Sequence, residues 1–212
     1  MKKIITLFAF LFYLNINAQY TKLADFGSSA INGSLPTGSL ISDGTFLYGM
    51  TWQGGTSGVG NIFKILPNGT GYVDLFNFTG TANGSKPLGS LISDGTFFYG
   101  MCSGGGTTNG GTIFKIMPNG TSFTKLFDFN GTVSGGSPSG SLIYDSTFLY
   151  GMTNLGGTYN KGVIFKIKKN GTGFIKLLDF DGTTNGSNPT GSLLYDGTFL
   201  YGMTFSGGAN NL

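Results

Sequence analysis

The 212-residue chain has no histidine, no arginine, no glutamate and only one cysteine. Without histidine, a nucleophile–imidazole–acid triad cannot be assembled within these residues. Without arginine there is no guanidinium fork to clamp a phosphate. A lone Cys102 cannot form an internal disulfide, and no other cysteine follows the N-terminal apolar segment to carry a lipid. Cys102 stands where the other repeat copies place Thr51, Thr153 and Thr204, so it reads as a small packed residue rather than a reactive thiol.

Charge is equally scarce. Twelve lysines face nine aspartates, and setting aside Lys2 and Lys3 leaves ten against nine. That balance provides no basic patch or stripe for nucleic acid. Long apolar runs are missing too: the longest, "IITLFAFLFYL" from Ile4 to Leu14, falls short of the about 20 residues that span a bilayer. Preceded by two lysines and followed by "NINAQ" with Ala18 at the cut, it reads as a secretory signal peptide over residues 1–18. The mature domain is then 19–212, with no transmembrane span and a secreted or cell-surface destination.

What the chain does have is glycine, 39 of them, and a repeat. "GSLISDGTFLYGM" from Gly38 returns with small changes from Gly89, Gly140 and Gly191, 51 residues apart each time. A second block, "NIFKILPNGTGYVDLFNF" from Asn61, returns from Thr112 and Val163. The units are therefore 38–88, 89–139, 140–190 and an incomplete 191–212, preceded by an orphan "YTKLADF" (20–26) that matches only the end of the second block.

Each unit holds four short runs rich in β-branched and aromatic residues, separated by turn signals. In the second unit these are 90–93, 96–102, 112–117 and 122–129. Asp94-Gly95 and its copies Asp43-Gly44 and Asp196-Gly197 predict two-residue hairpins. Asp145-Ser146 departs from them and predicts a strained turn or one of another type. "PNG" at Pro67 and Pro118 predicts a three-residue hairpin with a bulge. Few runs exceed eight residues without Gly or Pro, so no helix competes.

The reading is an all-β fold, a β-propeller of four-stranded antiparallel blades near the kelch length of about 50, with a β-solenoid second. A lone meander cannot bury both faces, whereas neighbouring blades bury each other. The recurrent Tyr48, Tyr99, Tyr150 and Tyr201 are assigned to that packing rather than to sugar stacking. The strand count gives about three and a half blades, a partial propeller and a fragment of a longer chain. The rival is a four-bladed ring with one defective blade and an unpaired edge.

Antiparallel meanders place the tight hairpins at one end and the long connections at the other. The connection face is where a ligand is expected, because loops on a rigid scaffold carry binding residues. There the paired glycines never change, while neighbouring slots differ from unit to unit. The varied residues Trp52, Gln53, Asn154, Leu155, Tyr159 and Phe205 are the candidate binding positions.

Catalysis finds no such set. Asp43, Asp94, Asp145 and Asp196 obey the repeat as turn residues, and the exceptions, Asp74 and Asp181, fall in different units on dissimilar elements. A pair of carboxylates flanking a glycosidic bond is therefore not expected. "DFDGTTNG" spaces Asp179, Asp181, Thr183 and Asn185 as a calcium loop would, but its glycine comes early and no glutamate closes it. No cofactor and no metal is expected.

"GSLIYDSTFLYGMT", the "GG" loop, "GVIFKI" and "NGT" resemble the GloVer tandem repeats of secreted choice-of-anchor proteins over nearly everything after Gln19. That resemblance implies an exported, surface-associated protein ending in an anchoring segment, and it brings no catalytic residues. The expectation is a non-catalytic binding or display module for an extracellular glycan or protein. The alternatives are a carbohydrate-active propeller whose catalytic residues lie beyond Leu212, and a structural spacer.

Overall fold

The computed structural model describes residues 20–27 and 32–210; the signal-peptide reading of residues 1–18 lies outside them. The repeat builds three four-stranded antiparallel sheets and one two-stranded sheet. Blade 1 comprises β1 (Ser34–Ser42), β2 (Leu47–Gln53), β3 (Asn61–Ile65) and β4 (Val73–Asn77), hydrogen-bonded in that order. Blade 2 repeats it with β5 (Ser85–Ser93), β6 (Phe98–Gly104), β7 (Thr112–Ile116) and β8 (Thr124–Asp128). After a single helical turn, α1 (Gly131–Ser134), blade 3 follows as β9 (Gly136–Tyr144), β10 (Phe148–Leu155), β11 (Val163–Lys168) and β12 (Ile175–Asp179). Blade 4 consists of β13 (Ser187–Tyr195) and β14 (Leu200–Ser206).

The first strand of every blade is longer than the sequence suggests, beginning at Ser85 in blade 2 where a long connection through Gly89 is expected. Pro and Gly inside "SKPLG" conceal it, because both are poor strand formers away from edges and bulges. A bulge does occupy this stretch, where the register with β6 shifts between Leu88 and Ile92. First strands contact one another in succession, β1 with β5, β5 with β9 and β9 with β13, so they line the centre.

The opening glycine of the repeated block makes that contact. Gly38, Gly89 and Gly140 all have φ near +70° to +80°, and a Cβ on any of them would run into the carbonyl of the glycine 51 residues on. Next to them, the Ser39, Ser90 and Ser141 N–H groups donate to Ser90, Ser141 and Ser192 Oγ at 2.7, 2.8 and 2.8 Å. Each blade is thereby stitched to the next at the axis.

Farther out the blades meet through aromatics. Phe78, at the end of strand four in blade 1, sits edge-on to Phe114 in strand three of blade 2 with centroids 5.2 Å apart; Phe129 and Phe165 repeat the pair at 5.2 Å. Tyr48 packs against Phe98 of the next blade at 4.7 Å. The segment Tyr20–Phe26, read from the sequence as a lone strand four, pairs with no sheet. It nevertheless takes that position against blade 1, with Phe26 5.0 Å from Phe63.

The tight end differs from expectation in one respect. Ser42 pairs with Leu47 and Ser93 with Phe98, so each loop holds four residues rather than two. The reason is the aspartate, whose Oδ1 accepts two backbone N–H bonds, from Thr45 and Phe46 in blade 1. Its Oδ2 accepts the Tyr48 hydroxyl at 2.6 Å. Asp145 makes the same three bonds, to Thr147, Phe148 and Tyr150, although Ser146 replaces the glycine. Ser146 is absent from the non-glycine residues with positive φ, so the third turn is of another type, as the sequence predicts. The "PNG" sequence closes the expected three-residue turn, Met117 N–H donating to the Thr121 carbonyl across Pro118-Asn119-Gly120, but the strands pair only as far as Lys115 and Thr124, so the turn sits within a longer connection than the sequence suggests.

These clamps set a pH dependence. Asp43 is held below the ordinary aspartate value of 3.8 by the Phe46 N–H first, then the Tyr48 hydroxyl and the Thr45 N–H. For Asp145 burial is the largest single influence and opposes the shift, but the donors together still lower it. Burial, then the bond to Asp145, pushes Tyr150 up to about 12. A carboxylate with a folded value below its unfolded one stabilises fully above the unfolded value, and that stability is lost as pH falls through the folded value. With no His and no Glu in the chain, few side chains titrate near neutrality. The melting temperature should stay flat from about pH 5 to 8 and fall below about pH 4. A midpoint that moves between pH 5 and 8 in scanning calorimetry would contradict this.

Candidate functional site

The connection face carries the ends of the second strands, the loops after them and the starts of the first strands. Trp52 and Gln53 close β2, Asn154 and Leu155 close β10, Tyr159 lies in the loop after β10, and Phe205 is near the end of β14. All six candidates thus share this face. They are spread over blades 1, 3 and 4 and do not gather in one patch.

Their environments differ. Leu155, Tyr159 and Phe205 are exposed, and Gln53 is exposed opposite Ser34. Trp52 is half-buried, with Lys86 Nζ of the next blade 4.8 Å above its ring. Asn154 is also half-buried: its Nδ2 donates to the Pro189 carbonyl at 3.5 Å, and its own carbonyl accepts from Asn188 Nδ2 at 3.1 Å. These two residues therefore connect blades as well as face outward.

Lys86 and Asn188 belong to a slot that sequence reasoning missed. Leu35, Lys86, Ser137 and Asn188, the second residue of each first strand, have φ of 55, 57, 49 and 54°. Four non-glycine residues in the left-handed region at one repeat position are unusual, and such strain persists only where the surroundings impose it. Three of the four also hydrogen-bond to the preceding blade, whereas Leu35 has the same φ with no described blade before it, so that bond accompanies the conformation and does not alone impose it. The N–H groups of Lys86, Ser137 and Asn188 donate to the carbonyls of Val59, Gly110 and Lys161 at 2.7, 2.8 and 2.8 Å. The slot varies as freely as those of Trp52 and Tyr159, which was its visible signal.

Two matches to the model of the Gloeobacter/Verrucomicrobia repeat, at residues 8–118 and 93–212, cover nearly all of the chain. The chain belongs to that repeat family. In this member many of the repeat's unchanging residues touch a neighbouring blade or close a turn, and varied residues gather at the connection end, where Trp52 and Asn154 also reach the next blade. No curated protein sequence matches the chain. Among solved structures it is similar to a chain of a nidogen/laminin complex, with 19% identity and a TM-score of 0.56 over 82% of this chain and 57% of that one. It is also similar to a TolB-like protein of Agrobacterium tumefaciens, with 17% identity and a TM-score of 0.51 over 80% of this chain and 58% of that one. These neighbours are β-propellers, so the likeness supports the fold. The chain spans somewhat more than half the length of each.

No group of three or more metal-ligating side chains occurs among the described residues. In the loop considered for calcium, Asp181 Oδ1 accepts the N–H groups of Thr183, Thr184 and Asn185, and Oδ2 accepts the Thr184 hydroxyl. Those donors hold its carboxyl far below the ordinary range, the Thr184 hydroxyl foremost. Its carboxylate therefore serves as a turn cap. Cys102 is buried, and burial pushes its thiol up and away from the reactive thiolate. Among the described residues no helix is long and apolar enough to cross a membrane.

Proposed function

We propose that this β-propeller repeat module is exported and works as a non-catalytic binding or display domain, presenting its connection face to an extracellular glycan or protein. The observation that carries the reading is the division of labour within the repeat. Most residues that pack between blades recur in register, while Leu155 and Tyr159 stand exposed on one face and differ from their counterparts. Exposed aromatics on rigid loops offer large contact area at small entropic cost.

A glycan array and an extracellular protein panel test it. Tyr159→Ala and Leu155→Ala should abolish the binding seen with the parent chain and leave its melting temperature within about 1 °C, since exposed side chains contribute little to stability. The absence of any ligand, or binding indifferent to both changes, would overturn it. The first result would favour a structural spacer, a reading to which the inter-blade contacts of Trp52 and Asn154 lend weight.

A further inference from the structure

One strained position of the repeat carries a side chain in every unit. Leu35, Lys86, Ser137 and Asn188 all lie in the left-handed region, where glycine alone is free of the Cβ clash. Elsewhere the chain meets such positions with glycine, as at Gly38, Gly89, Gly140 and Gly191. The other exceptions have local reasons. Asn109 and Asn160 cap the N–H groups of Gly105 and Gly156 at 2.8 and 2.9 Å, and Ser122 alternates with Gly71 and Gly173. At the Lys86 position no unit has glycine, and among the described residues none of the four side chains caps its own turn. Strain kept at one position of every unit directs attention to what its side chains present.

Lys86 is the charged member, and two blades fix it. Its N–H donates to the Val59 carbonyl of blade 1 at 2.7 Å, and its own carbonyl accepts the Ser103 hydroxyl of blade 2 at 2.9 Å. Beside it the Pro87 ring packs so closely on Gly60 of blade 1 that a Cβ there would collide with it. The ammonium lies 4.8 Å from the ring centroid of Trp52, the sole tryptophan of the chain. Ion pairs among the described residues engage Lys22, Lys125 and Lys176, and there Lys86 has no carboxylate within 4 Å. The aromatic face orders the ammonium without neutralising it. An exposed and oriented cation is thus held on the connection face, where an anionic group gains a charge-assisted contact with little ordering left to do.

Its surroundings narrow the class of anion. The other members of the slot are an aliphatic chain, a hydroxyl and an amide, and Asn188 Nδ2 reaches the Asn154 carbonyl at 3.1 Å without bringing any charge. One cation among neutral hydrogen-bonding groups suits a polymer of hydroxyls with an occasional acid. A nucleic acid would call for a basic patch instead.

We propose that Lys86, oriented by Trp52, forms a subsite for the carboxylate or sulfate group of an acidic glycan. This rests on the binding reading above and gives its ligand a charge.

The full purified chain is titrated calorimetrically with alginate, a polyuronate, with dextran sulfate and with neutral dextran; the first two separate a carboxylate from a sulfate. Binding to at least one polyanion and none to dextran is expected. Lys86→Gly should weaken it about 10-fold or more, the loss of one hydrogen bond to a charged group. The same variant should melt no lower than the parent, because glycine relieves the left-handed strain. Lys86→Arg keeps the charge and should bind within about 5-fold of the parent. Lys168→Gln removes an equal charge at the tight-hairpin end and should change affinity less than about twofold. Polyanion binding that survives Lys86→Gly, or falls as far with Lys168→Gln, would overturn the inference. So would a melting temperature lowered by Lys86→Gly, which would make the lysine a packing residue for Trp52. Binding of dextran or of a protein alone would overturn it while leaving the binding-domain reading in place, and a chain that binds nothing loses both.

Discussion

Gly89→Ala should destabilise the protein by about 3 kcal/mol or more, while Gly191→Ala, at the same position of the repeat, should cost only about 1 kcal/mol. Both residues have positive φ, 82° and 76°, so each substitution incurs the strain of a left-handed alanine. Only at Gly89 does the added Cβ also run into backbone, the carbonyl of Gly140 and the N–H of Ser141. Backbone cannot step aside as a side chain can, and relief would require parting blades 2 and 3 at the axis. Urea unfolding at low protein concentration measures both variants. Equal losses would mean that the axial contact between first strands does not hold the blades together.

The other large effect is expected at Phe129. Its side chain is fully buried and makes edge contacts with Phe127 and Phe165 at 5.2 Å and with Phe174 at 6.1 Å. Phe129→Ala removes one of the aromatic links between blades 2 and 3, leaving the Phe127–Phe174 stack at 4.3 Å, and opens a cavity, a loss of about 3 to 5 kcal/mol. Phe199→Ala, on an exposed ring, should stay within about 0.5 kcal/mol. The double variant Phe129→Ala/Phe165→Ala should fall short of the summed single losses by about 0.5 to 1.5 kcal/mol, the coupling typical of an edge-to-face pair. Strict additivity would show that the two rings act independently, contrary to their geometry.

Both predictions show how much of the protein is legible in its residues. Four runs per unit and their meander order follow from β-branched and aromatic stretches set between turn residues, and the sheets appear in that order. The aspartate turns were placed correctly but given the wrong length. An Asp-Gly pair suits a two-residue loop, and only the structure shows the carboxylate drawing two further N–H groups and a tyrosine hydroxyl into a larger one. The first strands were half hidden because a left-handed residue, a proline and a bulged glycine occupy their opening residues, each a loop signal when read locally.

The candidate face was legible in the same partial way. Comparing units marks the slots that vary, and all six chosen residues do lie at the connection end. Which of them look outward and which lean on the next blade cannot be read from variation, because a contact between Trp52 and Lys86 joins slots that are far apart in the repeat. The left-handed residues Leu35, Lys86, Ser137 and Asn188 were invisible for a related reason: three of them bond to carbonyls of the preceding blade, a contact that no local reading shows.

By itself, then, the sequence determined the period, the strands of each unit, their order and the end at which the connections gather. All of these depend on residues close together in the chain, where local propensity and turn chemistry decide. Only the tertiary structure decided which strand lines the axis and why Gly38, Gly89 and Gly140 leave no room for a side chain. Those depend on contacts between residues 51 apart, and a contact at that distance is a property of blade packing, which gives identical residues different neighbours.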